Sequence, residues 1–62
     1  MATEARLFDS SEQTDKAVHR LEDAGFSPAQ IGAGTRLVMV IAEGEMANLA
    51  REILDDVEYD RG

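Results

Sequence analysis

Arg36-Leu37-Val38-Met39-Val40-Ile41-Ala42 carries the strongest structural signal in the chain. Leu37 to Ala42 are six uncharged apolar residues in a row, three of them β-branched, in a sequence of which 31% is charged. A run of that length and branching reads as a strand buried on both faces, because a half-exposed strand alternates with polar residues. In a chain of 62 residues, a single layer of helices covers only one side of such a strand. Something else has to cover the other.

On the C-terminal side, Met46, Leu49, Ala50, Ile53, Leu54 and Val57 form one apolar stripe at helical spacing, which predicts a helix over 45–56. Glu43 and Glu45 at its start suit the helix dipole, whereas Asp55 and Asp56 near its end oppose it. Fraying or a turn is therefore expected at 55–56. Val57-Glu58-Tyr59 is then a short final strand, and Asp60-Arg61-Gly62 is loose.

On the N-terminal side, Gly32-Ala33-Gly34 reads as a flexible reversal, so that Ile31 and the apolar run form the arms of a hairpin. The segment Ser27-Pro28-Ala29-Gln30-Ile31 is open between two readings, a strand over 28–32 or one helical turn begun by Ser27 and Pro28. Before it, Ala17, Val18, Leu21 and Ala24 make an apolar stripe that predicts a helix over 11–24. Ser10 and Gln13 fit a capping box at its start. Gly25 supplies the left-handed residue that ends it, with Phe26 placed to touch Leu21. The first segment, 3–8, sets Ala5 and Leu7 against Glu4, Arg6 and Phe8, a short strand with one apolar face.

The order β-α-β-β-α, with an optional last strand, restricts the topology. A crossover helix between parallel strands is right-handed. Inserting the third strand antiparallel between the first two puts the most apolar segment, 37–42, at the centre of the sheet. The expected fold is a ferredoxin-like α+β two-layer sandwich with both helices on one face, in a single domain.

Composition narrows the function classes. Thirteen acidic against six basic side chains give a net charge of −7, which disfavours direct contact with nucleic acid or an anionic membrane. The chain lacks cysteine, so disulfides and thiolate metal sites are excluded. No apolar run approaches the roughly 20 residues of a membrane span, and a cytoplasmic protein is expected.

No constellation points to catalysis, and neither a cofactor nor a metal is expected. Asp15, His19 and Asp23 share a helix face, but exposed acids around a histidine are an ordinary solvated surface. Gly32-Ala33-Gly34-Thr35-Arg36 superficially resembles a phosphate loop, yet it lacks the Lys-Ser/Thr pair and precedes a strand instead of a helix.

The segments Leu7-Phe8-Asp9, Ala17 to Phe26, Leu37 to Val40 and Ala50 to Leu54 resemble a family of small bacterial signal-transducing domains without an assigned activity. That family's fold is ferredoxin-like or nitrogen-regulator-like, and its motifs are the Leu-x-x-Ala-Gly-aromatic helix stop and a Val-x-Val strand. Phe8 to Ile31 is also similar to the opening of general stress proteins. The resemblance implies a fold and no catalytic residues.

On the central strand Leu37, Met39 and Ile41 point one way and Val38, Val40 and Ala42 the other. One set stays uncovered in a monomer, an apolar patch suited to a protein partner or a symmetric homodimer. Phe8, Val38, Val40 and Arg36 are the expected interaction residues. The expected function is a non-catalytic regulatory or interaction module. The alternative is an acidic inhibitor that imitates nucleic acid, as an anti-CRISPR or anti-restriction decoy does.

Overall fold

The computed structural model describes residues 2–59, so the expected loose segment 60–62 lies outside the described residues. Strand β1 (Ala2–Leu7) leads into helix α1 (Ser11–Asp23), a 3-10 turn (Pro28–Gln30), strand β2 (Ile31–Ala33), strand β3 (Leu37–Ala42) and helix α2 (Glu45–Tyr59). The sheet order is β1-β3-β2, and β3 runs antiparallel to both neighbours. The apolar run is therefore the central strand of an α+β fold.

Local chemistry sets the boundaries. Gln13 donates its N–H to Ser10 Oγ at 3.3 Å, and its Oε1 accepts from the Asp9 N–H at 3.0 Å. The side chain thus reaches one residue further back than a standard capping box. Thr14, the buried polar residue of the core, donates its hydroxyl to the Ser10 carbonyl at 3.4 Å. At the other end of α1, Phe26 N–H donates to the Leu21 carbonyl and Gly25 N–H to the Glu22 carbonyl, each at 3.1 Å. Gly25 has φ +108°, and this pair of bonds is the Schellman stop.

Several expected boundaries change, the least of them at α1, which ends at Asp23 with Ala24 as its cap instead of running to 24. Segment 28–32 is not one strand: Gln30 N–H donates to the Ser27 carbonyl at 2.9 Å, closing the 3-10 turn, and β2 starts only at Ile31. The Gln30 side chain then donates to the Ile41 carbonyl at 3.2 Å, serving β3 where β2 has not yet begun. The first strand occupies 2–7 instead of 3–8, because Phe8 turns into the core while its N–H still donates to the Arg36 carbonyl at 2.7 Å. Finally, Val57–Tyr59 is not a strand. Helix α2 continues through it because Val57 extends the buried stripe and Arg6 pairs with Asp55 and Glu58 in the last turns, offsetting part of their charge.

Both helices lie on one side of the sheet. Ala17 and Leu21 of α1 and Ala47, Ala50, Leu54 and Val57 of α2 pack with Phe8, Phe26, Val38, Val40 and Ala42 in one core. The alanines allow close approach of helix to sheet, and the branched side chains fill the remaining space. The seam of α2 is rotated from the expected stripe: Leu49 and Ile53 are half-buried and Met46 is exposed.

Candidate interaction face

The pairing register determines which side chains share each face. Val38, Val40 and Ala42 are buried under the helices, while Leu37, Met39 and Ile41 point away from them. The chain itself therefore covers one face of β3, not the two that its composition suggests. Directly opposite Leu37, Met39 and Ile41 on β1 stand Leu7, Ala5 and Thr3, and opposite Met39 on β2 stands Gly32. Cross-strand partners project to the same side, so these seven positions form the outer face. None of them is charged.

The large side chains of this face are well exposed: Leu7 at 71%, Leu37 at 37%, Met39 at 40% and Ile41 at 44%. The acidic character of the molecule lies on the opposite layer. Helix α1 carries Glu12, Asp15, Glu22 and Asp23 against Lys16 and Arg20; α2 carries Glu45, Glu52, Asp55, Asp56 and Glu58 against Arg51. Nine acids against three bases leave the helix layer at −6.

Strand β1 shows an inversion. Its apolar members Ala5 and Leu7 point outward, whereas Glu4 and Arg6 lie on the side of the helices and are half-buried. Arg6 is held there by α2. One guanidinium nitrogen pairs with Asp55 Oδ1, and the other donates to Glu58 Oε1 at 2.6 Å. Partial burial works against the Arg6 charge, but the hydrogen bonds and fields of Asp55 and Glu58 outweigh it and raise its pKa above the ordinary guanidinium value.

The residues singled out from sequence fall in different places. Phe8, Val38 and Val40 were expected at the interaction surface and are instead in the core, at 5%, 0% and 0% exposure. Under the helices they are sealed by their own chain. Arg36 is exposed in the loop between β2 and β3, where Gly34 N–H donates to the Leu37 carbonyl at 2.8 Å. That bond makes 32–36 a hairpin reversal. Asp15, His19 and Asp23 are all exposed on α1, and among the described residues no three His, Cys, Asp or Glu side chains gather around a point that could hold a metal ion. An open groove between the helices is lined by Arg20, Asp23, Ala24, Leu49, Ile53 and Asp56.

Leu7, Leu37, Met39 and Ile41 are the outer-face residues that the expected set omitted. A signal for them exists in the sequence: Asp55 and Glu58 are spaced i, i+3 on one face of a helix, a ready partner for one inward-facing arginine. Placing Arg6 inward fixes Leu7 outward, and the register does the rest.

Among the described residues no helix is long and apolar enough to cross a membrane. No protein-family model, curated protein or solved structure matches the chain.

Proposed function

We propose that this protein is a small, acidic, non-catalytic interaction module that binds a protein partner through the outer face of its sheet. The observation that supports this reading is the inversion of β1, which directs Ala5 and Leu7 away from the core while Glu4 and Arg6 take the covered side. A strand packed against one helical layer ordinarily turns its apolar residues toward that layer. Turning them outward gives up burial within the chain, and contiguous apolar surface of this kind marks docking sites. The element order and the sheet order β1-β3-β2 support reading it as a ferredoxin-like arrangement without a last strand. This reading takes the module as a cytoplasmic regulatory domain, as the expected likeness to the signal-transducing family would imply.

The charge of the helix layer, −6, supports a second reading, in which carboxylates imitate nucleic-acid phosphates before a basic groove. Lys16, Arg20 and Arg51 interrupt that surface, which favours the first. Capture from a native-host extract separates the two readings. Partner retention at about 1 M salt, where screening acts within about 3 Å, and its loss in a Leu7→Lys/Leu37→Lys variant are expected for the apolar face. Capture that vanishes in salt and ignores those substitutions would overturn that reading in favour of mimicry.

A further inference from the structure

We infer that the occupant of the outer face is a second copy of this chain, packed sheet against sheet about a two-fold axis that runs along the strands between β1 and β3. The inference rests on the interaction reading above and names its partner.

Three observations lead to it. First, the face is uncharged in a molecule of net charge −7. A basic partner gains nothing from these seven positions, whereas another uncharged sheet face fits them, and the chain supplies one. Second, the relief of the face is self-complementary at two of its three β1–β3 pairs. In register across the two six-residue strands, large Met39 and Ile41 on β3 stand beside small Ala5 and Thr3 on β1. Rotation about an axis between these strands lays β3 of each copy over β1 of the other. Met39 then meets Ala5 of the second copy, and Ile41 meets Thr3 of the second copy. Large over small is the arrangement that lets two apolar layers interdigitate at the usual sheet separation of about 10 Å. Such a contact is isologous, each pair occurring twice, so it closes at two copies. Third, the same axis places Leu37 over Leu7 of the second copy, which covers the most exposed apolar side chain of the face. An axis between β3 and β2 would leave Leu7 in water.

The free edge of β1 is a poorer route to a dimer. Arg6 at that edge is already engaged by Asp55 and Glu58, and inward-pointing charges on an edge strand oppose strand addition.

Size sets the strength. Across this axis the six-residue strands β1 and β3 overlap and β2 does not, a contact of about 20 Å by 10 Å, on the order of 200–300 Å² of buried surface per copy. A standard stable interface buries roughly 800 Å² per partner. The dimer is therefore a weak, exchanging one, with a dissociation constant roughly between 10 μM and 1 mM.

The experiment is sedimentation equilibrium of the full chain from about 10 μM to about 1 mM. The weight-average mass is expected to climb from 6.8 kDa toward twice that value. Because both copies are acidic, salt screens their repulsion. Raising it from about 0.1 to about 1 M is expected to tighten association several-fold. Met39→Lys lowers the net negative charge and would ease general repulsion, yet it is expected to abolish the dimer. Ala5→Leu fills the hollow and is expected to weaken it at least tenfold. Both positions are exposed, and circular dichroism verifies that each variant folds; the salt response of the unaltered chain tests the proposal even if one does not. A chain that stays monomeric at about 1 mM in both salts overturns the second copy as occupant. Salt-resistant, face-dependent capture of another protein would then leave the interaction reading standing, and its absence would remove both. A dimer that Met39→Lys leaves intact, or that Ala5→Leu strengthens, overturns the proposed packing.

Discussion

The two faces of β3 are built from nearly the same chemistry and have opposite fates. Val38, Val40 and Ala42 are sealed beneath the helices, whereas Leu37, Met39 and Ile41, one residue out of phase, meet solvent. Hydrophobicity alone does not distinguish them, since the outer set is the larger and more apolar. The distinction comes from neighbouring elements. Helices bring Ala17, Ala47 and Ala50 close to the sheet, a spacing that suits compact branched valines. The hydrophobic pattern of a strand thus shows that it is buried, while its partners determine which face its own chain covers.

The sharpest test of this difference is to place the same carboxylate on each face. Val40→Asp introduces an unpaired charge into a closed core, a cost of several kcal/mol. A domain of this size has a total stability of roughly 3–9 kcal/mol, so the variant is expected to lose its cooperative thermal transition by circular dichroism. Met39→Asp, the adjacent residue on the outer face, is expected to stay within about 1 kcal/mol of the parent under dilute, monomeric conditions. Equal damage from the two would mean that the outer face is closed within the single chain.

Truncation repeats the comparison more gently. Leu54 is fully buried between helix and sheet, and Leu54→Ala is expected to cost about 2–5 kcal/mol through lost burial and a residual cavity. Leu37→Ala, on the outer face, is expected to cost less than about 1 kcal/mol in the monomer. Urea unfolding at low protein concentration measures both, and a Leu37 loss matching that of Leu54 would contradict the assignment of faces.

These contrasts also show how far residue order reveals structure here. The helices are readable because stripes at 3.6-residue spacing and stop signals such as Ala24-Gly25-Phe26 are local. The central position of 37–42 is readable because composition and connectivity agree. The orientation of β1 is readable only indirectly: the spacing of Asp55 and Glu58 offers a site for one arginine, but no local pattern assigns Arg6 to it across the fold. The continuation of α2 through Tyr59 has the same origin. Of the two acids that oppose the dipole there, Asp55 and Asp56, the first looks unfavourable only until Arg6 is placed beside it. Phe8, Val38 and Val40 were assigned to the wrong side for that reason: the strand period separates two sets without orienting either.

Gly25 offers an intermediate test of a local signal against a tertiary one. Its φ of +108° lies where an L side chain is strained, although a Cβ there would meet no neighbour within 4 Å. Gly25→Ala is therefore expected to cost about 1–2 kcal/mol through backbone conformation alone. For a domain of this length that is a fall in Tm of roughly 4–16 °C. Gly32→Ala is the control, with ordinary φ and its Cβ in normal contact with Met39 Cβ at 4.0 Å, and is expected to be neutral or slightly stabilising. A neutral Gly25→Ala would show that the Schellman stop is dispensable.

The smallest effect is expected at Arg6, the residue that orients β1. Its side chain retains 23% of its exposure, and those of Asp55 and Glu58 retain 45% and 43%, so water screens much of the attraction. Arg6→Met preserves a long apolar stem against the sheet while removing both ion pairs. It leaves two carboxylates near the C-terminal end of α2, where the helix dipole disfavours negative charge. Pairs of this exposure contribute about 1 kcal/mol or less, and a destabilisation of that size is expected near physiological salt. It should shrink as salt rises toward about 1 M, whereas the Leu54→Ala loss persists, because cavities are not screened. A loss at Arg6 as large as that of Leu54→Ala and insensitive to salt would mean that Arg6 supports the fold mainly by packing, as a buried stem. The outward display of Leu7 would then depend on shape, not on charge.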